Sequence, residues 1–326
     1  MKIRTILPMF AVVFLFGFGV LFCHSAKEDA NRTYLLLSKP IDAARAEEIF
    51  MKEAELADSV GFCFWGVSDS QRVSCKETGG VGTVTGVLLS GNPALLDAGI
   101  LAWQEGCFLD AETAQRLFGT PDCSLQTLWV GDRQFRVLGT FDPMQPTMVT
   151  AAEERDGAVL DRCILSVPAE QGGQAASQFL LRWGLQGERI DFYPLWVVVH
   201  NLLLILPGVL LLHIFAFGIR KTREASFPER IRPMLLPAAA AALFFLLCSH
   251  IVLLPDMLPP RWSDFSFWKN WWEGQKENFQ KILLTPMGEG HLQMMLDMVK
   301  SILSSTAAFL LALWTFRRQT YANTAD

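Results

Sequence analysis

Four uncharged apolar stretches, spaced very unevenly, constrain this chain more than any other feature of its sequence. They cover residues 5–26, 192–219, 233–255 and 301–316. A helix rises about 1.5 Å per residue and the hydrocarbon core of a bilayer is about 30 Å thick, so about 20 apolar residues span it. The fourth stretch becomes long enough if its helix starts near Met295 and Lys300 extends its amine towards the headgroups. The sequence therefore predicts an integral membrane protein with one helix, a large polar segment and three further helices.

Basic residues predict which side of the membrane the polar segment occupies. Lys2 and Arg4 precede the first helix, five Lys/Arg lie in the 220–232 loop, and Arg317 and Arg318 follow the last helix. Short loops rich in Lys and Arg stay in the cytoplasm, so both termini are expected there and residues 25–192 outside. That segment has 14 Lys/Arg and 24 Asp/Glu, a net charge of −10, whereas the whole chain carries −5. Such an acidic segment disfavours binding to nucleic acid.

The first helix has a second interpretation, a cleaved signal peptide. Its start is basic and the small residue Ala26 ends its apolar run. The run is longer than a usual signal core and His-Ser-Ala is a poor cleavage site, so we favour a retained anchor.

The segment between the first two apolar stretches predicts an α+β domain. Strands are expected at 33–37, 60–67, 81–89 and 157–167, and a hairpin at 126–141 turns at Gly131-Asp132. Helices are expected at 41–60, from Asp110 to Gly119, and at 169–185. Strands interleaved with a few helices indicate a sheet of the split βαβ kind.

Five of the seven cysteines belong to this outer domain. An exterior location permits disulfides, and an odd number leaves one thiol over. Cys107 and Cys123 bracket a predicted helix, and Cys63 and Cys75 could bridge a hairpin. Spacing alone does not decide between these bonds and buried free thiols.

Catalytic signatures are absent from the sequence. It contains no GxxxxGK[ST] nucleotide loop, no HExxH and no CxxC, so we expect no enzyme activity, metal or cofactor in this chain. His200, Asn201 and His250 are polar residues inside predicted spans, which makes them the candidates for a membrane enzyme. Such residues more often form hydrogen bonds between helices, and we favour that interpretation.

The second outer loop is rich in tryptophan. Trp262, Trp268, Trp271 and Trp272 follow the exit of the third predicted span. Indole rings concentrate at headgroup depth, so these residues predict a membrane-interface segment, with 264–284 as an amphipathic helix. Packing of the same rings beneath the large domain is the alternative.

Three strings resemble one family. Residues 105–119 (EGCFLDAETAQRLFG) and 128–140 (LWVGDRQFRVLGT) resemble the short helix and following hairpin of an extracytoplasmic core domain. Residues 220–224 (RKTRE) resemble the basic start of a cytoplasmic coupling element. The family is the MacB/FtsX-like class (type VII) of ABC transporter permeases. In this chain Ala225-Ser-Phe-Pro228 follows the RKTRE string, where the family usually continues with Ile-Gly and a small-residue segment.

The resemblance implies a permease-like subunit in the cell membrane that transmits the motion of a separate ABC ATPase to the outer domain. ATP would be bound by that partner. A homodimer or a related permease subunit is also implied, and lipids surround the helices. The implied ATPase contacts are Arg220, Arg223, Glu224, Glu229 and Arg230. A membrane-anchored sensor or scaffold without an ATPase is the alternative function.

The expected fold class is thus an α-helical membrane protein with four spans in a 1+3 arrangement and an inserted α+β extracytoplasmic domain. The expected segments are a first span at 1–26, the MacB-like core domain at 27–190, a second span at 191–219, the coupling loop at 220–232, a third span at 233–255, the Trp-rich loop at 256–294, a fourth span at 295–317 and a cytoplasmic tail at 318–326.

Overall fold

A computed structural model describes residues 3–96, 100, 106–143, 145–154, 157–224, 231–254, 261, 265–284 and 289–324. Contacts divide the chain into two compact units. We call them the helical unit, which comprises Met1–Ala30, Phe192–Lys276 and Met294–Asp326, and the sheet unit, which comprises Asn31–Asp191 and Glu277–Gln293.

Nine strands and eight helices are described. The strands are β1 (Arg32–Asp42), β2 (Phe62–Ser74), β3 (Val81–Gly91), β4 (Cys107–Asp110), β5 (Thr127–Val130), β6 (Arg133–Phe141), β7 (Thr147–Ala151), β8 (Val159–Pro168) and β9 (Gly187–Ile190). The helices are α1 (Ile3–Ala30), α2 (Ala43–Ala54), α3 (Ala111–Phe118), α4 (Ala169–Trp183), α5 (Tyr193–Glu224), α6 (Ile231–Cys248), α7 (Phe265–Leu284) and α8 (Glu289–Thr324).

Half of the sheet unit is built from two split βαβ elements, as the sequence predicts. β1 and β2 are both antiparallel to β8, which lies between them, and α2 connects them. Likewise β8 and β9 are both antiparallel to β1, which lies between them, and α4 connects them. The resulting order β2-β8-β1-β9 is that of a ferredoxin-like sheet.

The other half of the sheet unit is inserted between β2 and β8. Its strands follow the order β3-β7-β4-β6-β5-β2, and β3 also pairs with β2, so these six strands close into a ring. β2 belongs to both halves because its first residues pair with β8 and its last two with β5.

Each half has its own core. In the ferredoxin-like half, α2 and α4 cover one sheet face, and Ile49, Phe62, Phe64, Leu165 and Phe179 lie in one buried cluster. In the ring, α3 contributes Ala114 and Leu117 to a second cluster. The two clusters share no residue, which agrees with two lobes in one domain.

A buried carboxylate ties α2 to α4. Glu53 is 1% exposed. Its Oε1 accepts hydrogen bonds from Arg182 Nη1 at 2.9 Å and from the backbone of Val60 at 3.0 Å. Its Oε2 accepts one from Trp183 Nε1 at 2.7 Å. Arg182 also donates to Asp58 Oδ2 at 2.6 Å, so the charge of the guanidinium is shared between two carboxylates.

Helix ends follow the local chemistry of the sequence. Asp110 accepts a hydrogen bond from the backbone of Thr113 and so caps α3, which ends at Gly119 in the left-handed conformation at φ 77°. The helix expected at 41–60 is shorter, because β1 continues to Asp42 by pairing with β8 and Asp42 then caps α2.

Among the described helices, three are long and apolar enough to cross a membrane. These segments are Phe10–Ala30, Tyr193–Arg220 and His291–Arg318. α6 is shorter than the span expected at 233–255, because its helix ends at Cys248 and residues 251–254 are not helical. The described helices therefore give three candidate spans and one shorter apolar helix.

Candidate coupling segment and membrane helices

The cytoplasmic coupling segment predicted at 220–232 begins on the last turn of α5. Arg220 is exposed there. Arg223 and Glu224 are the last two residues of the same helix. Glu229 and Arg230 lie outside the described residues. Arg220 is thus exposed. That the five residues together contact an ATPase stays a prediction.

A close contact joins the two helices that flank this segment. α5 and α6 pack against each other, and a Cβ placed on Gly218 would lie 2.8 Å from Cδ of Pro237. Only glycine lets the proline ring of α6 approach the α5 backbone so closely. One turn further on, the hydroxyl of Thr222 donates to the carbonyl of Gly218 at 2.8 Å. Sequence reasoning missed this contact, because neither residue belongs to a charged motif.

At the other end of the same helix pair, polar side chains of α5 bond the chain that leaves α6. The amide of Asn201 donates to the carbonyl of Val252 at 2.7 Å and accepts from its N–H at 3.0 Å. His200 Nε2 lies 3.1 Å from the carbonyl of His250. Non-helical backbone inside a membrane needs such partners, so these residues explain where α6 ends. His200 and Asn201 thus have hydrogen-bond partners, but these partners belong to the non-helical chain after α6 and not to another helix.

Several hydrogen bonds attach the second half of α1 to its neighbours in the helical unit. Trp196 Nε1 of α5 donates to the carbonyl of Cys23 at 2.9 Å, and Ser301 of α8 donates to the carbonyl of Gly19 at 2.8 Å. Ser25 donates to Asp297 Oδ2 at 3.1 Å. These contacts favour a helix that is retained in the mature protein.

Lys300 is paired within α8. Its Nζ lies 3.0 Å from Oδ1 of the buried Asp297 and 5.2 Å from the ring centroid of Phe22. A carboxylate three residues before a lysine inside an apolar helix is the signal that could have predicted this pair.

The tryptophans of α7 do not share one environment. Trp268 and Trp272 are one turn apart and are 42% and 66% exposed. Trp271 is half-buried. Trp262 lies outside the described residues. Location of these rings at the membrane interface thus stays a prediction. Trp268 and Trp272 suit that location best, because their rings are exposed.

All seven cysteines are free thiols in the structure. The possible bridge between Cys63 and Cys75 is not present: Cys63 lies near the start of β2 and Cys75 directly follows its last residue, so the two are not on facing strands of a hairpin. The ends of a strand of this length are much further apart than the roughly 7 Å limit for a disulfide. Cys107 and Cys123 lie in the same buried cluster of the ring. Burial raises the pKa of the Cys63 thiol to about 12 and that of Cys123 to about 11.

The class that this arrangement defines is a membrane-spanning chain with a ferredoxin-like α+β unit and an inserted strand ring. No protein-family model matches the sequence, and no curated protein matches it.

Solved structures do match. The extracellular domain of the noncanonic ABC-type transporter YknZ from Gram-positive bacteria is 18% identical with a TM-score of 0.36, covering 48% of this chain and 100% of that domain. The periplasmic region of MacB from Actinobacillus actinomycetemcomitans is 9% identical with a TM-score of 0.39, covering 51% of this chain and 90% of that region. Both are similar to this chain at low identity.

Proposed function

We propose that this chain is a permease-like transmembrane subunit of an ABC transporter. In this proposal a separate ATPase binds ATP in the cytoplasm, and its motion is transmitted to the sheet unit outside the membrane. Four spans carry the chain across the bilayer, with α6, about 27 Å long, as the third of them. YknZ is named as a noncanonic ABC-type transporter. The MacB structure is named as the periplasmic region of that protein.

The continuity of α5 is the observation that carries the proposal. α5 begins at Tyr193, three residues after the end of β9, and runs as one helix to Glu224. Its 32 residues extend for about 48 Å, which exceeds the hydrocarbon core of about 30 Å. A displacement at Glu224 would therefore be carried along a helix that leads directly to the chain exit from the sheet unit.

The contact between Gly218 and Pro237 supports the same role. It holds α5 and α6 together just before the coupling segment. A force applied to the loop between the two helices would consequently move both of them, instead of bending one away from the other. Close-packed interfaces transmit displacement because they do not deform continuously.

The charge of the segment suits an ATPase surface on the cytoplasmic side. Arg220 is exposed, and the 220–232 loop carries five of the basic residues that favour a cytoplasmic location. The sequence has no nucleotide loop of its own, so hydrolysis is assigned to the partner.

The partner is tested by affinity purification of the full-length chain from native membranes in mild detergent, followed by mass spectrometry. We expect an ABC ATPase at a stoichiometric level, and we expect the double variant R223A/E224A to lose it. Arg318→Ala is the matched control, because the guanidinium of Arg318 stacks on Trp314 of its own helix at 5.3 Å. Recovery of the chain alone, or only with extracytoplasmic proteins, would contradict the proposal and favour the sensor or scaffold.

Transmission is tested separately from binding. Replacing Gly218 by Leu should separate α5 from α6 while leaving the charged residues in place. We expect this variant to retain the ATPase but to lose the ATP-dependent change in hydrogen exchange of the sheet unit. Gly17→Leu is the control, since a Cβ at Gly17 meets no atom within 4 Å. An unchanged ATP response in Gly218→Leu would refute transmission through the α5–α6 pair.

The subunit is also proposed to work as a homodimer or with a related permease subunit. Cross-linking in native membranes with differently tagged copies tests this, because only a homodimer captures both tags together.

A further inference from the structure

An apolar cavity of about 200 Å³ lies among three helices of the helical unit. Val12 and Phe16 of α1, Leu206 of α5, and Ala308 and Ala312 of α8 line it. Apolar cavities of about 150 Å³ stay dry and bind apolar molecules such as benzene. The wall of this cavity therefore suits a hydrocarbon ligand.

Among the described residues that line the cavity, one carries a hydroxyl, and this hydroxyl forms its hydrogen bond elsewhere. Ser305 lines the cavity, but its Oγ donates to the backbone carbonyl of Ser301 at 2.7 Å. The hydroxyl of Ser305 is therefore not available to hold a water molecule in the cavity.

α1, α5 and α8 contact one another on one side of the cavity, and α5 and α8 contact each other on the opposite side. On the first side, a Cβ on Gly19 of α1 would lie 3.1 Å from Leu203 and 3.3 Å from the carbonyl of Ser301. On the second side, the ring of Phe316 contacts His213 at 5.0 Å and Phe217 at 5.4 Å. The helices separate between these contacts, which is why the cavity is there.

The cavity extends along α8 from Ser305 to Ala312, seven residues or about 10 Å. Arg317 lies about 18 Å from Ser305 along the same helix, and half of the hydrocarbon core is about 15 Å. Arg317 and Arg220 are exposed at that end of α8 and α5, next to the Phe217–Phe316 contact. Two guanidinium groups therefore lie at headgroup depth beyond an apolar cavity that can take part of an acyl chain, and their charge suits a phosphate.

We propose that this cavity binds one acyl chain of an anionic phospholipid from the leaflet on the Arg317 side, with the lipid phosphate held by Arg220 and Arg317. The bound chain would fill the space between α1, α5 and α8 and so keep α1 attached at Val12 and Phe16. The site goes beyond the permease function and does not depend on it.

The experiment uses the full-length chain reconstituted with phosphatidylglycerol or with phosphatidylcholine of identical acyl chains. After extraction in a delipidating detergent, native mass spectrometry counts the lipids that remain on each chain. We expect one retained phosphatidylglycerol per chain and much less retained phosphatidylcholine, because the choline cation neutralises the phosphate of the second lipid. Equal retention of the two lipids would overturn the preference for an anionic headgroup.

Two pairs of variants locate the lipid. Ala308→Phe fills the cavity and should lower phosphatidylglycerol retention at least tenfold, whereas Leu310→Phe, at a 59% exposed position on the same helix, should leave it unchanged. Equal retention by these two variants would overturn the cavity as the site.

The second pair keeps the test decisive if Ala308→Phe does not fold. Arg317→Gln should lower retention about fivefold, the change that corresponds to about 1 kcal/mol for one basic residue at an anionic surface. Arg318→Gln is its control, because Arg318 stacks on Trp314. A loss as large in Arg318→Gln as in Arg317→Gln would show non-specific attraction and refute the proposed headgroup contact.

Discussion

Removing the carboxylate of Glu53 should loosen the ferredoxin-like half of the sheet unit by a predictable amount. In Glu53→Ala, the N–H groups of Val60 and Trp183 lose their acceptor, and each unsatisfied buried donor costs about 1–3 kcal/mol. Arg182 adds little, because it is partly exposed and keeps its bond to Asp58. The expected loss in the free energy of unfolding is therefore about 2–6 kcal/mol.

Glu53→Gln should cost less. It keeps one acceptor oxygen for Arg182 and Val60, but its amide NH₂ would face the indole N–H of Trp183, donor against donor. One unsatisfied group predicts a loss of about 1–3 kcal/mol.

Hydrogen exchange of the full-length chain in detergent measures both losses. Each 1.36 kcal/mol accelerates exchange of fully protected amides about tenfold, so α4 and β8 should exchange at least thirtyfold faster in Glu53→Ala and about five- to 150-fold faster in Glu53→Gln. Glu55→Gln is the matched control, since Glu55 is exposed and follows α2 directly. If Glu53→Gln exchanged no faster than Glu55→Gln, the reasoning from the three hydrogen bonds would be refuted.

Three further predictions concern thiols, a close contact and a helix cap. Because burial raises the pKa of Cys63 to about 12, its thiol stays protonated up to about pH 10, and a maleimide should leave Cys63 unlabelled between pH 7 and 9 in the folded protein but label it after unfolding. Mass spectrometry checks this, and early labelling of Cys63 would contradict it. Gly66→Ala should lower Tm and cost about 1–3 kcal/mol, because the new Cβ would lie 2.0 Å from the carbonyl of Val159; an unchanged melting curve would show that the strands can shift freely. Asp110→Ala should cost about 1.5–5 kcal/mol in thermal unfolding, since it removes the cap of α3 and the acceptor for the first N–H of β7, whereas Asp110→Asn should cost less by keeping an oxygen acceptor. Equal losses in the two Asp110 variants would argue against that explanation.

Local chemistry made much of the fold predictable. Asp110 and Gly119 mark the ends of α3 because a carboxylate accepts from the first turn and glycine adopts positive φ at no cost. Gly131-Asp132 marks the hairpin of β5 and β6 for a similar reason. Both signals lie within a few residues of the structure that they specify.

What the sequence did not reveal depends on distant partners. β4 and β9 have only four residues each, and their pairing with β6, β7 and β1 sets them apart from loops. The end of α6 depends on Asn201, about 50 residues earlier in the chain. The Gly218–Pro237 contact likewise needs two helices to be packed before either residue becomes significant.

The insertion of the strand ring between β2 and β8 has a consequence for synthesis on the ribosome. Leu35 of β1 pairs with Cys163 of β8, a separation of 128 residues, and the other neighbour of β1, β9, is made later still. At about 5–20 residues per second, β1 waits on the order of 10 s before either partner exists. During that time α1 is already available to the membrane, while the central strand of the future sheet has both edges free. We expect the nascent chain to need a holding factor at this stage, since an unpaired strand edge is a template for aggregation.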